Sequence, residues 1–179
     1  MIERSEARER AGEARAPANS IDRVRDALAA FGGDHAIVEF TEPARTAADA
    51  ARLLGCRVEQ IANSLIFRAT VRAADGAERD GAVLVMASGG RRVDVARIAE
   101  ALGEPVEKAD ADFVRARTGF AIGGVAPLGH TAPPAAILID EELFKWPEIL
   151  AAAGHSHTVF RLSPDELVRM TGGRVVAVR

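Results

Sequence analysis

The chain has 179 residues, of which 48% are hydrophobic and 27% are charged, and this composition suits one globular domain with a sizeable core. Its net charge of -3 argues against sequence-independent coating of nucleic acid, which needs a broadly basic surface, but leaves contact with one RNA end open. No apolar run is long enough to span a bilayer, and the single cysteine, Cys56, excludes an intrachain disulfide. We therefore expect a cytoplasmic protein without membrane contacts.

The beginning of the chain differs in character from the rest. Residues 1–18 alternate acidic and basic side chains without a hydrophobic stripe, which predicts a flexible N-terminal tail. Ser20 is then placed to cap a helix that carries Val24 and Leu28 on one face. We expect residues 19–179 to form one domain, because no linker or internal repeat interrupts them.

Short helical and strand patterns follow one another through this domain. Strand patterns occupy residues 36–40, 64–72, 82–87, 105–108, 135–140, 157–161 and 174–178. Helices are expected to begin after the capping residues Thr46, Asp94, Asp110 and Ser163, and further helical segments at residues 58–62, 141–145 and 147–153. Interspersed strands and helices indicate a single α/β or α+β domain.

A glycine-rich stretch at residues 118–130 is the most unusual part of the chain. Its sequence, Thr-Gly-Phe-Ala-Ile-Gly-Gly-Val-Ala-Pro-Leu-Gly-His, places four glycines and a proline between two regular segments. Glycine permits positive φ and close approach of a ligand, and amide groups around such a bend can form a concavity for an anion or an oxyanion. From composition alone a purely structural connection is the commoner explanation, so the neighbouring motifs decide between the two.

Four segments stand in a fixed order along the chain. They are residues 60–67 (Gln-Ile-Ala-Asn-Ser-Leu-Ile-Phe), 83–94 (Val-Leu-Val-Met-Ala-Ser-Gly-Gly-Arg-Arg-Val-Asp), 118–130 and 137–140 (Ile-Leu-Ile-Asp). Together they resemble the YbaK/EbsC family, also called the prolyl-tRNA synthetase-associated domain, over residues 20–178. The resemblance implies a mixed, partly barrel-like sheet surrounded by helices.

The same resemblance implies aminoacyl-tRNA editing in trans, in which the ester between a wrong, small amino acid and the 3′ end of tRNA is hydrolysed. The implied partner is a mischarged tRNA, with an aminoacyl-tRNA synthetase as a further candidate, and neither a cofactor nor a metal is implied. The family's Gly-x-x-x-Pro loop, which is associated with holding the aminoacyl-adenosine end, matches Gly123 to Pro127. We expect Asn63, Gly123 and His130 as catalytic residues, and Ser64, Arg91, Asp94, Gly124, Pro127, Asp140 and His155 as substrate-binding residues.

One position departs from the family pattern. The family usually has a lysine before Ser or Thr in this segment, where the chain has Asn63 followed by Ser64. Asparagine still donates a hydrogen bond to a carbonyl or phosphate oxygen, but it brings no charge, and charge-assisted bonds are about twice as strong. Our hypothesis is that Arg91 or Arg92 supplies the missing cation.

Several candidate residues have a structural explanation beside the functional one. His130 is either a general base or substrate contact near the ester, or an ordinary loop histidine. Asp140 ends an apolar strand and either binds substrate or caps the following helix. Asp94 is better placed as a helix cap, although it could also orient the neighbouring arginines.

Two functions of other classes stay open from the sequence. A non-catalytic module of the same fold would bind a tRNA end or a nucleotide, the change at Asn63 having removed the chemistry. A metal-dependent hydrolase would use Asp140 with His155 and His157, which would share one face of a strand because they are two residues apart. A commoner explanation of the two histidines is structural, with one of them in a loop and the other on a half-exposed strand.

Overall fold

The structure is a computed structural model, and it describes residues 19–42, 44, 46–72 and 75–179. The flexible tail expected at residues 1–18 therefore lies outside the described residues. The helices are α1 (Ser20–Phe31), α2 (Ala47–Leu54), α3 (Val95–Leu102), α4 (Ala111–Thr118) and α5 (Pro164–Thr171). The strands are β1 (Ile37–Glu39), β2 (Ile61–Arg72), β3 (Glu78–Ser88), β4 (Val106–Lys108), β5 (Ala136–Asp140), β6 (Ile149–Ala152), β7 (Thr158–Leu162) and β8 (Arg174–Val176), with 3-10 turns at Val58–Gln60 and Glu141–Lys145.

Most helix starts follow the capping chemistry of the sequence. The capping boxes at Thr46 and Ser163 are formed, and Asp110 accepts a hydrogen bond from the backbone of α4, as expected. The start of α1 is a correction: Asn19 is the N-cap and accepts from the Asp22 amide, so Ser20 is the first helical residue. Asn and Ser are about equally favourable as N-cap residues, so residue type alone could not show which of these two neighbours caps the helix. Within the described residues, no helix is both long and apolar enough to cross a membrane.

Eight strands of the described chain form one mixed sheet. Its order is β1-β7-β6-β2-β3-β5-β8, and β4 pairs with β2 beside this path. The long hairpin of β2 and β3 is antiparallel at the centre, while β6 lies parallel to β2 and β5 lies parallel to β3. The mixed sheet with surrounding helices matches the expected fold class, and the sheet is open, with β1 and β8 at its two ends.

The helix expected at residues 147–153 is wrong, because the chain forms strand β6 there. The three alanines at residues 151–153 favour a helix by intrinsic propensity, but propensity is a weak prior that tertiary context overrides. Ile149 and Leu150 are almost completely buried, and β6 fills the position between β2 and β7. The strand leads directly into the turn that carries His155.

Helices cover both faces of the sheet. One cluster joins α1, α4 and α5 to the sheet through residues that include Val24, Val114 and Leu167, and it also contains Val125 and Ala126 of the glycine-rich stretch. A second cluster packs Ile98 of α3 on the opposite side, and a third contains Ala50 and Ala51 of α2. The glycine-rich stretch is therefore built into the main core and is not a loose surface connection.

Candidate active site

The glycine-rich stretch forms a closed loop between α4 and β5. At its neck the Thr131 amide donates to the Thr118 carbonyl oxygen over 3.1 Å, and the Thr118 hydroxyl oxygen accepts from the Phe120 amide over 3.0 Å. Val125 and Ala126 are 2% and 0% exposed, which fixes the far side of the loop in the core. The tip between these anchors is exposed, so a rigid base presents a short solvent-facing segment.

Two glycines shape this exposed tip. Gly123 has a φ of +89°, a conformation that residues with a Cβ rarely adopt. A Cβ on Gly124 would lie 2.8 Å from the Cα of His155, so only glycine lets the loop approach that backbone. The Gly124 amide donates to the Ala121 carbonyl oxygen over 3.0 Å, whereas the Gly123 amide has no acceptor among the described residues. Gly123 therefore offers an unused donor at an exposed bend.

The neighbouring turn carries His155, Ser156 and His157. Both histidines precede β7, so the shared strand face that the metal-site alternative needed is not formed, and His157 lies one residue before the strand expected to begin with it. Their rings still meet, with centroids 5.0 Å apart, and the His157 amide donates to Nδ1 of His155 over 3.3 Å. Ser156 faces the loop, because a Cβ on Gly123 would lie 3.6 Å from the Ser156 Cβ. The loop and the turn thus form two adjoining walls.

Asn63 lies on β2 at the same end of the sheet. It is exposed and pairs with Ala87 of β3. Ala62 stands opposite Ala151 of β6, four residues before His155, and Asn63 directly follows this last pair of β2 and β6. Register therefore places Asn63 beside the strand that leads into the histidine turn.

Ser64 does not share the face of Asn63. Successive side chains of a strand point to opposite faces, and the Ser64 hydroxyl donates to the sulfur of Met86 over 3.3 Å, within the main core. Asn63 and Ser64 are adjacent in the sequence motif, but their side chains point to opposite faces of the sheet. Asn63 is exposed, whereas Ser64 is half-buried and its hydroxyl is hydrogen-bonded to Met86.

His130 lies inside the base of the loop. Its Nε2 donates to the Ala126 carbonyl oxygen over 2.8 Å, its ring packs edge-on against Phe120, and its Nδ1 is buried without a partner among the described residues. Burial is the main cause that lowers the pKa of His130 below its ordinary value of 6.5, and the charge of Arg23 adds to the effect. A neutral histidine that donates into its own loop favours the structural explanation over the general base.

The acidic candidates serve as structural anchors. Asp140 is fully buried, and its carboxylate accepts from the Ser88 amide over 3.0 Å, from the Glu142 amide over 3.1 Å and from the Arg179 guanidinium over 2.6 Å. Asp94 caps α3 by accepting from the Ala96 amide over 2.9 Å. The capping explanations of both residues are therefore confirmed.

The structure does not assemble the metal site considered from the sequence. Within the described ranges no three His, Cys, Asp or Glu side chains converge in a way that could hold a metal ion. The carboxylate oxygens of Asp140 already accept hydrogen bonds from Arg179 and two backbone amides, while His155 and His157 lie in an exposed turn. The hydrolase that would use these three residues is not supported by the geometry.

Arg91 follows β3 on an exposed turn next to the end of β5. Lys145 lowers the pKa of Glu142 through a hydrogen bond, and the charges of Arg179 and Arg91 lower it further. No hydrogen bond or ion pair among the described residues joins Arg91 to Asn63. Replacement of the missing lysine charge by Arg91 or Arg92 thus stays a hypothesis.

The model of the aminoacyl-tRNA editing domain family matches residues 41–170, which contain β2, the glycine loop and the histidine turn. The chain belongs to the aminoacyl-tRNA editing domain family. It is similar to a solved structure described as a candidate trans-editing enzyme for prolyl tRNA synthetase, at 37% identity over 92% of this chain and 99% of the other, with a TM-score of 0.79.

Two further proteins are similar to this chain over most of its length. The hypothetical protein APE2540 has a solved structure that is 29% identical, covers 87% of this chain and 98% of its own, and has a TM-score of 0.75. The uncharacterized protein YwhH of Bacillus subtilis (strain 168) is 26% identical over 156 residues, which are 87% of this chain and 94% of the relative. This chain therefore spans nearly the full length of both proteins.

Sequence reasoning missed two residues of this editing domain. Ser156 lines the turn against Gly123, and Arg23 of α1 donates to carbonyl oxygens at both ends of the glycine loop. Ser156 lies between His155 and His157, and that short spacing was the available signal. Arg23 gave none, because an arginine on an amphipathic helix is ordinarily a solvated side chain and its partners are 96 and 106 residues away.

Proposed function

We propose that this editing domain is an aminoacyl-tRNA deacylase that acts in trans and, like its substrate, works in the cytoplasm. Its substrate would be a mischarged tRNA that carries a small amino acid on its 3′ end. The observation that carries the proposal is the exposed Gly123 amide, which has no acceptor among the described residues and stands beside the His155–Ser156 wall. A donor held at a rigid bend is suited to an oxygen that becomes negative during acyl transfer.

The chemistry proposed is ester hydrolysis by water. Water attacks the acyl carbonyl carbon, the Gly123 amide donates to the oxygen that becomes negative, and the bond between the carbonyl carbon and the ribose oxygen then breaks. The products are the free amino acid and a tRNA whose ribose hydroxyl has regained its proton. A neighbouring ribose hydroxyl of the substrate can assist the water.

Asn63 is proposed to hold the acyl or phosphate oxygen of the substrate. It is exposed on β2, and the pairing of β2 with β6 places it beside the strand that leads to the histidine turn. Its side-chain amide supplies neutral donors in place of the family lysine. Positioning by such donors raises the rate because it fixes the carbonyl relative to the water.

A small acyl group fits the narrow space between the two walls. A Cβ added to Gly123 would lie 3.6 Å from the Ser156 Cβ, and a Cβ added to Gly124 would lie 2.8 Å from the His155 Cα, so the loop tip and the turn lie close together. This packing supports discrimination by size at the loop. The similarity to a candidate trans-editing enzyme for prolyl tRNA synthetase supports a partnership with an aminoacyl-tRNA synthetase that produces the mischarged substrate.

The second candidate is a binding module that holds a tRNA end or a nucleotide without hydrolysing it. The observation that favours it is Asn63, which brings no charge where the family usually has a lysine. The unused Gly123 amide would then contact a phosphate or ribose oxygen in a stable complex. Binding without turnover separates this function from the deacylase.

The deciding experiment is deacylation of tRNAs mischarged with Ala, Cys, Ser or Thr, comparing the wild-type protein with Gly123→Ala. The matched control is Gly103→Ala, because Gly103 also has positive φ (+82°) and has open space around its Cα, but lies at the end of α3. Release of amino acid by the wild type and the control, but not by Gly123→Ala, supports the deacylase. Retained tRNA binding with no turnover on any substrate refutes the deacylase and supports the binding module.

A further inference from the structure

Helix α1 supports both walls of the candidate active site from behind. A Cβ on Gly154, which begins the histidine turn, would lie 2.6 Å from the Ser20 carbonyl oxygen and 3.0 Å from the Ile21 amide nitrogen. A Cβ on Gly129, at the end of the glycine loop, would lie 3.1 Å from the Arg23 backbone. One turn of α1 therefore contacts both segments, although the helix lies outside the residues matched by the family model.

Arg23 makes the most specific of these contacts. Its Nε donates to the Gly129 carbonyl oxygen over 3.1 Å, and its Nη2 donates to the Gly119 carbonyl oxygen over 2.7 Å. The guanidinium carbon also lies 5.1 Å from the ring centroid of Phe120. One planar group thus holds both ends of the loop together while stacking on a residue at its base.

We infer that Arg23 is a positioning residue, which holds the glycine loop in the geometry that aims the Gly123 amide at the substrate. The inference rests on the proposed function for its effect on catalysis, while its effect on the loop can be measured without any substrate. Arg23 does not touch the reacting atoms. It acts through Gly119 and Gly129, whose separation sets the curvature of the exposed tip between them.

The contact with both carbonyl oxygens depends on the planar set of N–H donors in the arginine guanidinium. Lysine at position 23 would keep the positive charge, but its single ammonium group cannot bridge two carbonyl oxygens in one plane and stack on Phe120 at the same time. The loop would then sample a wider set of conformations. A shift of about 1 Å in a catalytic donor can lower a rate by about 100-fold, so even a conservative change here should reduce turnover.

The test is Arg23→Lys in the full chain, with Arg25→Lys as the matched control. Arg25 lies on the same helix, is exposed and pairs with Asp22. Arg25→Lys is therefore the same substitution at a position whose ion pair does not involve the loop. Amide hydrogen exchange of the free protein should be faster in residues 119–131 of Arg23→Lys, and unchanged in the strands of the central hairpin. Deacylation by Arg23→Lys should show kcat lowered about 10- to 100-fold with KM within about twofold of the wild type.

The two readouts separate this inference from the proposed function. If the wild type deacylates no tRNA, the proposed function fails, and faster exchange confined to residues 119–131 still supports the role of Arg23 in holding the loop. Exchange in the loop that equals that of Arg25→Lys overturns the inference, whatever the activity. A rise in KM with kcat unchanged also overturns it, because that pattern marks lost substrate binding and not a misplaced catalytic donor.

Discussion

His130 and Ala126 are joined by a hydrogen bond of 2.8 Å, in which Nε2 of the ring donates to the backbone carbonyl oxygen. The bond closes the last turn of the glycine loop on itself and fixes the tautomer of the ring, because a carbonyl oxygen only accepts. Burial lowers the pKa of His130, so the folded protein takes up a proton less readily than the unfolded chain does.

This linkage predicts the pH dependence of stability. Because the folded-state pKa is the lower one, His130 adds nothing above the ordinary pKa of 6.5, and it destabilises the fold progressively as the pH falls from there toward the lowered value. His130→Gln keeps an N–H donor and does not titrate. Its unfolding free energy should therefore fall less than that of the wild type between pH 7.5 and 5.5, by at most about 1.4 kcal/mol per pH unit. Urea unfolding at both pH values measures the difference, and equal losses would contradict the prediction.

The same variant distinguishes a loop anchor from a general base. If His130 only holds the loop, His130→Gln should keep deacylase activity within a few fold of the wild type, because the amide replaces the donor to Ala126. Loss of a general base typically lowers the rate by about 100- to 10,000-fold. Initial rates on the best mischarged tRNA decide the question, and a loss in that larger range would restore His130 as a catalytic residue.

Replacing Gly124 by alanine should damage the loop directly. The added Cβ would lie within 2.8 to 3.0 Å of the Cα, N and C atoms of His155, and backbone cannot move aside as a flexible side chain can. We expect a loss of about 1–3 kcal/mol in unfolding free energy together with loss of deacylation. Gly90→Ala is the stability control, because its new Cβ meets the flexible Glu59 side chain. Similar losses in both variants would show that the His155 contact is not tight.

The sequence was sufficient for those parts of the structure that local chemistry determines. The capping boxes at Thr46 and Ser163 and the buried strand that became β3 follow from residues close together in the chain. The strand β6 did not, since its alanines favour a helix and only its partners β2 and β7 make it a strand. The glycine loop was recognisable as a motif, but its support by Arg23 depends on a contact across 106 residues, which no local pattern encodes.

The buried pair of Asp140 and Arg179 should be important for stability. Asp140 is 0% exposed and the Arg179 side chain 14%, and the carboxylate also satisfies two backbone amides, so its removal would leave a buried guanidinium and two donors unpaired. We expect Asp140→Ala to lower the unfolding free energy by about 3–5 kcal/mol. Asp75→Ala removes an equally short but exposed ion pair with Arg79 and should cost about 0–1 kcal/mol. Denaturant unfolding of both variants measures this, and equal costs would contradict the role of burial.

Restoring the family lysine at position 63 should raise the activity of the editing domain. Asn63 is exposed on β2, so a longer charged side chain fits there without displacing the core. A charge-assisted hydrogen bond contributes about 1.5–3 kcal/mol compared with about 1 for a neutral one, and a gain of about 1.4 kcal/mol corresponds to a tenfold rate. We therefore expect kcat/KM for deacylation by Asn63→Lys to rise about tenfold.

The control for this variant is Thr70→Lys, which adds the same charge at an exposed position near the other end of the same strand. Its kcat/KM should equal that of the wild type at physiological salt, so that a gain confined to Asn63→Lys reflects placement and not net charge. If both variants gain equally, general attraction of tRNA explains the effect. If neither gains, Asn63 performs its role without charge, and the active site of this chain differs from the usual family arrangement in chemistry as well as in sequence.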